Sequence, residues 1–472
     1  MARINLFRII FVFGLFLALH PASAQNTGRY FVYLKDKNFS SYSIQKPEAF
    51  LSQRAIERRK KQNIVITSQD LPVNKTYLHS LEKTGAKIWY TSRWMNAVML
   101  EADKNTLENI RQLDFVKPNI LLLSKDKTGG LPEETPTHSF SNTDKIPASL
   151  PIQSNKDYGD SYTQVAMLGA DKMHQQGFRG QGMLIAVLDA GFVNAHQVSY
   201  FKHLFDNQRI LDTYDFVDQE KNVYDDGSHG LMVLSTIAAY SPGSLIGTAP
   251  EASFCLFRTE NSNSEYRIEE VNWLIAAERA DSMGVDVINS SLGYTTFSDT
   301  TMDYTYKDLD GKSTLVTQAA DLAAATGMLI VNSAGNEGGN SWKYLGAPAD
   351  ADSVLAVGAV TPGRQYVEFS SQGPTKDGRI KPDVSAMGLA TVVGSPRGQI
   401  TLSSGTSFAS PLVCGLATGL WQAHPNLSNI EIIQLLKQSA NQAQEPDNLL
   451  GYGIPDFVKA HELAEIFEKK EK

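Results

Sequence analysis

The sequence predicts an α/β protein in two parts: a small two-layer α/β domain, then a larger doubly wound, mostly parallel sheet in a three-layer α/β/α arrangement. From about residue 160, short runs that are apolar throughout alternate with helical patterns. Such runs are typical of parallel strands buried on both faces and joined by crossover helices. Before residue 126, strands and helices alternate within a span of under about 100 residues, which favours a separate small domain.

The chain is long enough to bury a sizeable core. It has 472 residues, 42% of them hydrophobic, which suggests one large domain with an appendage or two to three domains. Its formal net charge of −8 is mild for this length and argues against a general nucleic-acid binder.

Residues 1–24 are predicted to be a secretory signal peptide. Arg3 and Arg8 precede an apolar run from Ile9 to Leu19, and Ala22-Ser23-Ala24 then forms a small-residue cleavage site. The alternative is a membrane anchor, but the apolar run is short for a bilayer span. We therefore expect an exported chain, periplasmic or extracellular, with no membrane attachment after cleavage.

Residues 25–125 are predicted to form the small domain. Strands are expected at 29–35, at 87–102 as one or two strands, and at 116–124, with helices at 47–62 and 104–113. The run Arg58-Arg59-Lys60-Lys61 in the first helix predicts a solvated, basic face. Residues 126–155 are rich in Pro, Gly, Ser and Thr, which predicts a protease-sensitive linker.

The larger domain is predicted over residues 156–472. Its strands are predicted by the apolar runs MLIAVLD (183–189), SFCLFR (253–258), GVDVINSS (284–291), GMLIVNSAGN (327–336) and SVLAVGAV (353–360). Helices are expected at 268–283 and 318–325, and two more close the chain, the first opening on a capping box at Ser428. Cys255 and Cys414 lie in apolar runs and are expected to be buried free thiols.

Four polar residues lie beside glycines in this larger domain, and each has an ordinary structural explanation. Asp189 ends a buried strand and could cap the next loop, while His229 begins an apolar helical stretch as a structural polar group would. Asn336 lies in a glycine-rich turn, where asparagine is common. Ser407, in SSGTSFASP (403–411), lies where a helix N-cap is expected.

Taken together, the four residues supply every part that acyl transfer needs. These parts are a nucleophile, a base, a carboxylate that orients the base, and a donor to the developing oxyanion. Small residues around Ser407 would let a substrate backbone approach, and a helix N-terminus stabilises negative charge. In such folds the active site lies at the carboxyl ends of the strands, where these residues are predicted.

The order Asp189, His229, Asn336, Ser407 and its flanking segments resemble the subtilisin-like serine peptidases, the subtilase family. The matching segments are IAVLDAG, SHGLMVLST, NSAGNEG and SGTSFASP, and the likeness spans roughly residues 160 to 460. The resemblance implies that Ser407 attacks the scissile carbonyl, His229 transfers the proton and Asp189 holds the imidazole. It implies that Asn336 and the Ser407 backbone N–H bind the oxyanion.

The resemblance also implies polypeptide substrates that pair with the backbone of the chain. Substrate contacts are expected from Ser291, Leu292, Gly293, Tyr294, Ser333, Ala334 and Gly335.

The sequence departs from the common family pattern at three positions. Ala190 follows the aspartate where Ser or Thr is frequent, and Leu231 follows the His-Gly pair where Thr is frequent. Tyr294 stands where a small residue is common, which would crowd the subsites. None of these changes removes a catalytic atom, so they bear on rate and specificity rather than on the type of reaction.

Residues 25–125 resemble the family's N-terminal pro-region in their position after the signal peptide and before the linker. The resemblance implies an intramolecular inhibitor and folding aid, released by cleavage between about residues 124 and 155. No cofactor is required by this chemistry. Structural calcium is common in the family, but Asp308-Leu309-Asp310-Gly311 lacks the remaining ligands of a calcium loop and predicts a polar surface turn.

Other classes fit the sequence less well. A lipase would need G-x-S-x-G, and the last glycine is missing around Ser407. A nucleotide-binding P-loop ending at Gly311-Lys312-Ser313 lacks its first glycine, and a zinc site from His461-Glu462 lacks its second histidine. The alternative from another class is a subtilase-fold protein that binds peptides with weak or no catalysis.

Overall fold

The computed structural model describes residues 27–125, 150–151 and 153–470. The predicted signal peptide and most of the predicted linker, with its processing site, lie outside the described residues. The described chain forms a small four-stranded sheet and a large seven-stranded sheet, each with its own helices, which confirms the predicted fold class.

The small domain is an antiparallel sheet in the order β2-β3-β1-β4, and two of its three α-helices pack on one face of the sheet. Its elements are β1 (Gly28–Leu34), α1 (Gln53–Lys61), α2 (Lys75–Glu82), β2 (Lys87–Ser92), β3 (Ala97–Ala102), α3 (Lys104–Arg111) and β4 (Val116–Lys125). Side chains alternate across a strand, so Val32 and Leu34 enter the domain's own core. Phe31 of the same strand packs into a core shared with the large domain.

The single helix predicted over 47–62 is interrupted. A short 3₁₀ turn covers Pro47–Ala49, and α1 begins only after Ser52, whose hydroxyl accepts from the backbone N–H of Ala55. Ser52 is thus an N-cap within the predicted helix.

The large domain is built on a parallel sheet in the order β13-β12-β11-β10-β5-β9-β6. The sheet strands are β5 (Leu184–Asp189), β6 (Ile210–Asp215), β9 (Ser253–Arg258), β10 (Val287–Ser290), β11 (Leu329–Ser333), β12 (Val354–Val360) and β13 (Val384–Met387). Two small hairpins add β7 (Tyr240–Ser241), β8 (Leu245–Ile246), β14 (Thr391–Gly394) and β15 (Ile400–Ser403). The five strands predicted from apolar runs are confirmed, and β6 and β13 were not predicted.

Helices cover both faces of this sheet. They are α4 (Tyr162–Met167), α5 (Ala170–Gln175), α6 (Lys202–Asp206), α7 (His229–Ala238), α8 (Ile268–Met283), α9 (Leu315–Ala325), α10 (Thr406–Ala423), α11 (Asn429–Ser439) and α12 (Phe457–Lys470). Ile185 and Val187 face the side of α7 and α10, whereas Leu184, Ala186 and Leu188 face the side of α8 and α9. Burial of both faces explains why β5 is apolar throughout.

The small domain lies against α8, and this contact corrects one prediction. Arg58 and Arg59, expected on a solvated face, are only 5% and 3% exposed, while Lys60 and Lys61 are exposed. The buried arginines contact the large domain, which a helix-face argument from local sequence cannot detect.

Cys255 and Cys414 are both buried and form no disulfide, as predicted. No helix within residues 27–125 or 153–470 is long and apolar enough to cross a membrane.

Candidate active site

The candidate residues meet at one edge of the large sheet. β11, β10 and β5 are neighbours and run parallel, so their carboxyl ends lie side by side. Asp189 ends β5, Ser291 follows β10, and Asn336 lies three residues beyond β11. His229 and Ser407 lie in the first turns of α7 and α10, which pack against each other.

Asp189 and His229 are in direct contact. His229 Nδ1 lies 2.7 Å from Asp189 Oδ1, and the two side chains are 7% and 0% exposed, respectively. Asp189 Oδ1 also accepts from the backbone N–H of Ala190 at 2.8 Å. A carboxylate this deeply buried must be paired, and His229 is the ionisable partner of Asp189. The hydrogen bond between them holds the imidazole in one orientation.

Gly230 allows α7 to approach β5 this closely. A Cβ at this position would lie 2.8 Å from the Asp189 Cβ and 2.5 Å from the Gly191 carbonyl oxygen. Any larger residue would therefore push the His229 backbone away from the carboxylate.

Ser407 lies in the first turn of α10, where the helix dipole is positive. Gly405 precedes the helix with φ +153°, a conformation that favours glycine. The Ser407 hydroxyl contacts the Ser291 carbonyl at 3.5 Å, and the Ser291 hydroxyl donates to the Ser407 carbonyl at 2.9 Å. The ring of Phe408, the next residue, lies 5.9 Å from the His229 ring.

Asn336 is anchored to the start of the same helix. Its Oδ1 accepts from the backbone N–H of Thr406 at 2.9 Å and from the Thr406 hydroxyl at 3.1 Å. With the amide oxygen held against the helix, the amide nitrogen is the group left to act as a donor next to Ser407.

The residues proposed to contact substrate are held in different ways. Leu292 accepts from Asn332 Nδ2 at 2.9 Å through its carbonyl, and Ser333 accepts from the same nitrogen at 2.8 Å. Ala334 and Gly335 donate their backbone N–H groups to Val357 and to the Thr406 hydroxyl.

Tyr294 is 1% exposed, and its ring does not project from the surface. Its hydroxyl donates to Glu260 at 2.7 Å, and its backbone pairs with Ala347. The side chain expected to crowd the subsites is therefore packed into the core beside them.

A buried polar network that was not predicted lies beneath the site. Asn289 donates to the Ser291 hydroxyl at 3.2 Å and accepts from the Ser410 hydroxyl at 3.1 Å, which ties β10 to α10. The signal was present, because VINSSLG places three polar residues in a row at the end of an apolar strand.

Among the described residues, two acidic clusters have carboxyl oxygens close enough to bind a metal ion. The first cluster does not suit a metal ion. Asp215, Asp218 and Asp226 converge. Arg258 Nη1 lies among them, at 2.6, 2.6 and 3.2 Å from their oxygens. The guanidinium already supplies the positive charge that a cation would bring.

The second cluster is Glu260, Glu265 and Glu269. Its carboxyl oxygens are the donors that calcium prefers. Burial raises the pKa of Glu260 to about 7 and also raises the pKa values of Glu265 and Glu269. Both oxygens of Glu269 already accept hydrogen bonds from backbone N–H groups, those of Asn261 and Tyr266. Fewer of the cluster's oxygen lone pairs are therefore left to bind a metal ion.

Asp308 and Asp310 form local turns, as predicted. Asp308 accepts from the backbone N–H of Thr305, and Asp310 accepts from the N–H groups of Lys312 and Ser313.

The structure thus places the Asp189–His229 pair, Asn336 and the start of α10 at one edge of the large sheet. Comparison with known proteins identifies the family. Residues 180–453 match the model of the subtilase family, and residues 29–132 match that of the peptidase S8 propeptide domain of Bacteroidota. The first match covers more than half of the chain. The chain therefore belongs to the subtilase family of serine endopeptidases, with an N-terminal propeptide domain.

Individual relatives support the same assignment. The chain is 28% identical to Subtilisin E of Bacillus subtilis (strain 168) over 364 residues, 76% of this chain and 79% of that protein. It is 31% identical to Subtilisin of Bacillus pumilus over 280 residues, 58% of this chain and 90% of the other. Serine protease AprX of Bacillus subtilis (strain 168) is 29% identical over 308 residues, 59% of this chain and 66% of that protein.

Proposed function

We propose that the chain is an exported serine endopeptidase whose catalytic triad is Asp189, His229 and Ser407, with Asn336 as oxyanion donor. The observation that carries the proposal is the 2.7 Å contact between His229 and Asp189, at the sheet edge where Ser407 begins a helix. A buried Asp–His pair beside a serine is the arrangement that activates a hydroxyl nucleophile.

In the first half of the reaction, the Ser407 oxygen attacks the carbonyl carbon of the substrate. His229 Nε2 takes the hydroxyl proton. The imidazolium keeps the proton on Nδ1 and donates it in a hydrogen bond to the Asp189 carboxylate, which stays ionised. The proton then passes from Nε2 to the leaving amine as the C–N bond breaks, which leaves an acyl-enzyme on Ser407. A water repeats the sequence and releases the second product.

The oxyanion receives two donors in this proposal. The Asn336 amide nitrogen is one, because its oxygen is held by Thr406. The backbone N–H of Ser407 is the other, at the positive end of α10. Fixed donors cost no reorganisation when the charge develops, so they lower the barrier effectively.

The substrate is proposed to add a strand alongside Ser291, Leu292 and Gly293, with Ser333, Ala334 and Gly335 beside the scissile bond. Tyr294 is proposed to shape a subsite from behind, because its ring is buried and its backbone is already paired with Ala347.

The maturation scheme is proposed from the sequence together with the propeptide match. Residues 1–24 direct export to the periplasm or beyond, 25–125 inhibit and assist folding, and 126–155 contain the processing site. Residues 156–472 form the catalytic domain. N-terminal sequencing of the active enzyme would contradict the scheme if the mature chain began near Gln25.

The test compares the wild-type chain with its Ser407→Ala variant. Both are incubated with a peptide library, cut bonds are identified by mass spectrometry, and a serine-directed fluorophosphonate is used to label each protein. We expect cleavage and labelling of the wild-type protein alone. If the folded wild-type protein, freed of its pro-domain by an added protease, neither cuts nor labels, the result would favour the alternative, a peptide-binding subtilase without catalysis.

A further inference from the structure

The basic helix α1 of the pro-domain (residues 27–125) lies across the carboxyl ends of two helices of the catalytic domain. Arg54 Nε donates to the Gly284 carbonyl at 2.9 Å, just after α8 ends. Arg58 Nε donates to the Thr326 carbonyl at 3.3 Å, and Gln62 donates to the Gly327 carbonyl at 2.8 Å, just after α9 ends. Helix carboxyl ends carry partial negative charge and favour cations.

One carboxylate of the catalytic domain gathers three of the pro-domain's arginines. Asp281, in the last turn of α8, pairs with Arg58, with Arg59 at 2.8 Å and with Arg93 at 2.5 Å. Its side chain is 0% exposed. Burial alone would raise the pKa of the Asp281 carboxyl, but the three guanidinium groups outweigh burial and lower it.

A second carboxylate one turn earlier binds the pro-domain backbone. Glu278 accepts from the Ser92 hydroxyl at 2.6 Å and from the backbone N–H groups of Arg93 and Trp94 at 2.9 and 3.1 Å. These residues form the turn between β2 and β3, so two separate parts of the pro-domain meet at the end of α8.

The charges of this contact balance only across the interface. Arg54 pairs with Asp286 of the catalytic domain, and Arg58 and Arg93 pair with Asp281. Within the pro-domain, Asp70 pairs with Arg59 at 2.8 Å. Without the catalytic domain, Arg54, Arg58 and Arg93 would lie close together with none of these carboxylates to neutralise them. The catalytic domain therefore supplies the negative charge that these arginines need.

The backbone at the end of α8 also suits close contact. Gly284 has φ +85°, and a Cβ there would lie 2.7 Å from the backbone nitrogen of Ala55. Glycine therefore both ends the helix and lets α1 lie directly on it.

We propose that the carboxyl end of α8, centred on Asp281, is a guanidinium-binding surface through which the catalytic domain holds its own pro-domain. The surface is separate from the peptide-binding cleft, because it lies on the α8 side of the sheet and involves none of the triad. It keeps the pro-domain bound after the linker is cut, and it selects a pro-domain with arginines at positions 58, 59 and 93. The proposal deepens the inhibitory role proposed for residues 25–125 and rests on it.

The experiment uses the full chain with Ser407→Ala, so that self-cleavage plays no part. A recognition sequence for a site-specific protease is introduced within residues 126–149, the chain is cut there, and loss of the pro-domain is followed by size-exclusion chromatography after dilution. We expect Asp281→Asn to speed dissociation on the order of 10²-fold, because a buried charge pair that loses one partner acts mainly on the off-rate.

The matched control is Asp299→Asn. Asp299 pairs with Lys125 across the same two domains at 2.8 Å, but the lysine is 61% exposed. An exposed ion pair contributes little, so this variant should release the pro-domain at about the wild-type rate. The proposal would be overturned if the Asp281→Asn variant released the pro-domain at the same rate as its Ser407→Ala parent. It would also be overturned if Asp281→Asn and Asp299→Asn accelerated release equally.

Pro-domain variants keep the test decisive if Asp281→Asn does not yield folded protein. Arg93→Gln and Arg58→Gln each remove one guanidinium from Asp281 while leaving the catalytic domain unchanged. Each should accelerate release, and retention of the pro-domain by both variants at the wild-type rate would overturn the proposal. Failure of the proposed catalytic function shows itself separately, as an uncut peptide library, because this assay measures binding in a chain that lacks the Ser407 hydroxyl.

Discussion

Two buried aspartates in the catalytic domain differ in how completely they are paired. Asp189 and Asp281 are both 0% exposed. Asp281 is surrounded by three guanidinium groups. Asp189 has one imidazole and the Ala190 N–H, both on Oδ1, and no other described residue donates to its Oδ2.

The difference separates recognition from chemistry. A carboxylate surrounded by permanent cations stays ionised and fixed, which suits an interface that must hold. A carboxylate whose partner is a histidine can respond when that partner gains a proton. The region around Asp189 should therefore control turnover, and the region around Asp281 should control retention of the pro-domain.

The largest expected effect comes from Asp189→Asn. The substitution keeps the shape but removes the charge that stabilises the imidazolium, so turnover of a peptide substrate should fall roughly 10⁴-fold. Steady-state kinetics of the mature enzyme measure this loss. When Asp189→Asn is added to the Ser407→Ala chain and the linker is cut, the pro-domain should be released at the same rate as from the Ser407→Ala parent. A changed release rate would contradict the separate roles proposed for the two aspartates.

Asn336→Leu tests the donor beside Ser407. Removing the amide should lower kcat roughly 10²–10³-fold with little change in KM, because the donor acts on the transition state. Asn340→Leu, in an exposed turn nearby, is the control and should leave kcat unchanged. Unaltered kcat in the Asn336 variant would refute the oxyanion assignment.

Ala190→Ser adds a possible hydrogen-bond donor to Asp189, the less completely paired of the two aspartates. A hydroxyl next to Asp189 could donate to Oδ2, and one net hydrogen bond contributes about 0.5–1.5 kcal/mol. Turnover should rise by roughly 2- to 10-fold. Ala190→Val adds carbon without a donor and should give no such gain, so equal gains in both variants would contradict the explanation.

Glu270 is a buried carboxyl on the same helix as Asp281, but it is not paired with three arginines as Asp281 is. Burial raises its pKa to about 7, although Tyr304, Val316 and Arg267 oppose the shift. The folded state then binds the proton of this carboxyl more tightly than the unfolded state does. The contribution of Glu270 to stability is therefore fully present below about pH 4.5 and is lost as the pH rises through about 7.

Glu270→Gln should remove this loss. In urea unfolding of the Ser407→Ala chain, the variant should gain about 1–3 kcal/mol relative to its parent between pH 5 and pH 8. Glu108→Gln, whose parent side chain is 60% exposed, is the control and should follow its parent across that range. A parallel pH profile for Glu270→Gln and its parent would refute the assignment.

The sequence predicted the interior of the large domain well because its signals are local. Strands such as β5 and β9 are apolar throughout, and helix α8 was predicted with its observed ends. β6 was missed because it is an edge strand, only partly buried and containing Asp212 and Asp215. β13, the four-residue strand at the opposite edge of the sheet, was missed as well.

Contacts between distant segments could not be predicted in the same way. The sequence of α1 places Arg58 and Arg59 in a polar run. Nothing within the run reveals that both arginines pair with Asp281, which lies more than 200 positions later in the chain. Likewise, Tyr294 was expected beside the substrate, but the direction of its side chain depends on a hydrogen bond to Glu260, which lies 34 positions earlier in the chain. Which polar residues are buried is decided by tertiary partners and not by local pattern.

The glycine at position 284 serves both domains at once. A methyl group there would strain the turn that ends α8 and would collide with α1. Any side chain at this position would therefore disturb the end of α8 and its contact with α1 at the same time. One residue sets both where a helix of the large domain stops and how closely the small domain lies on it.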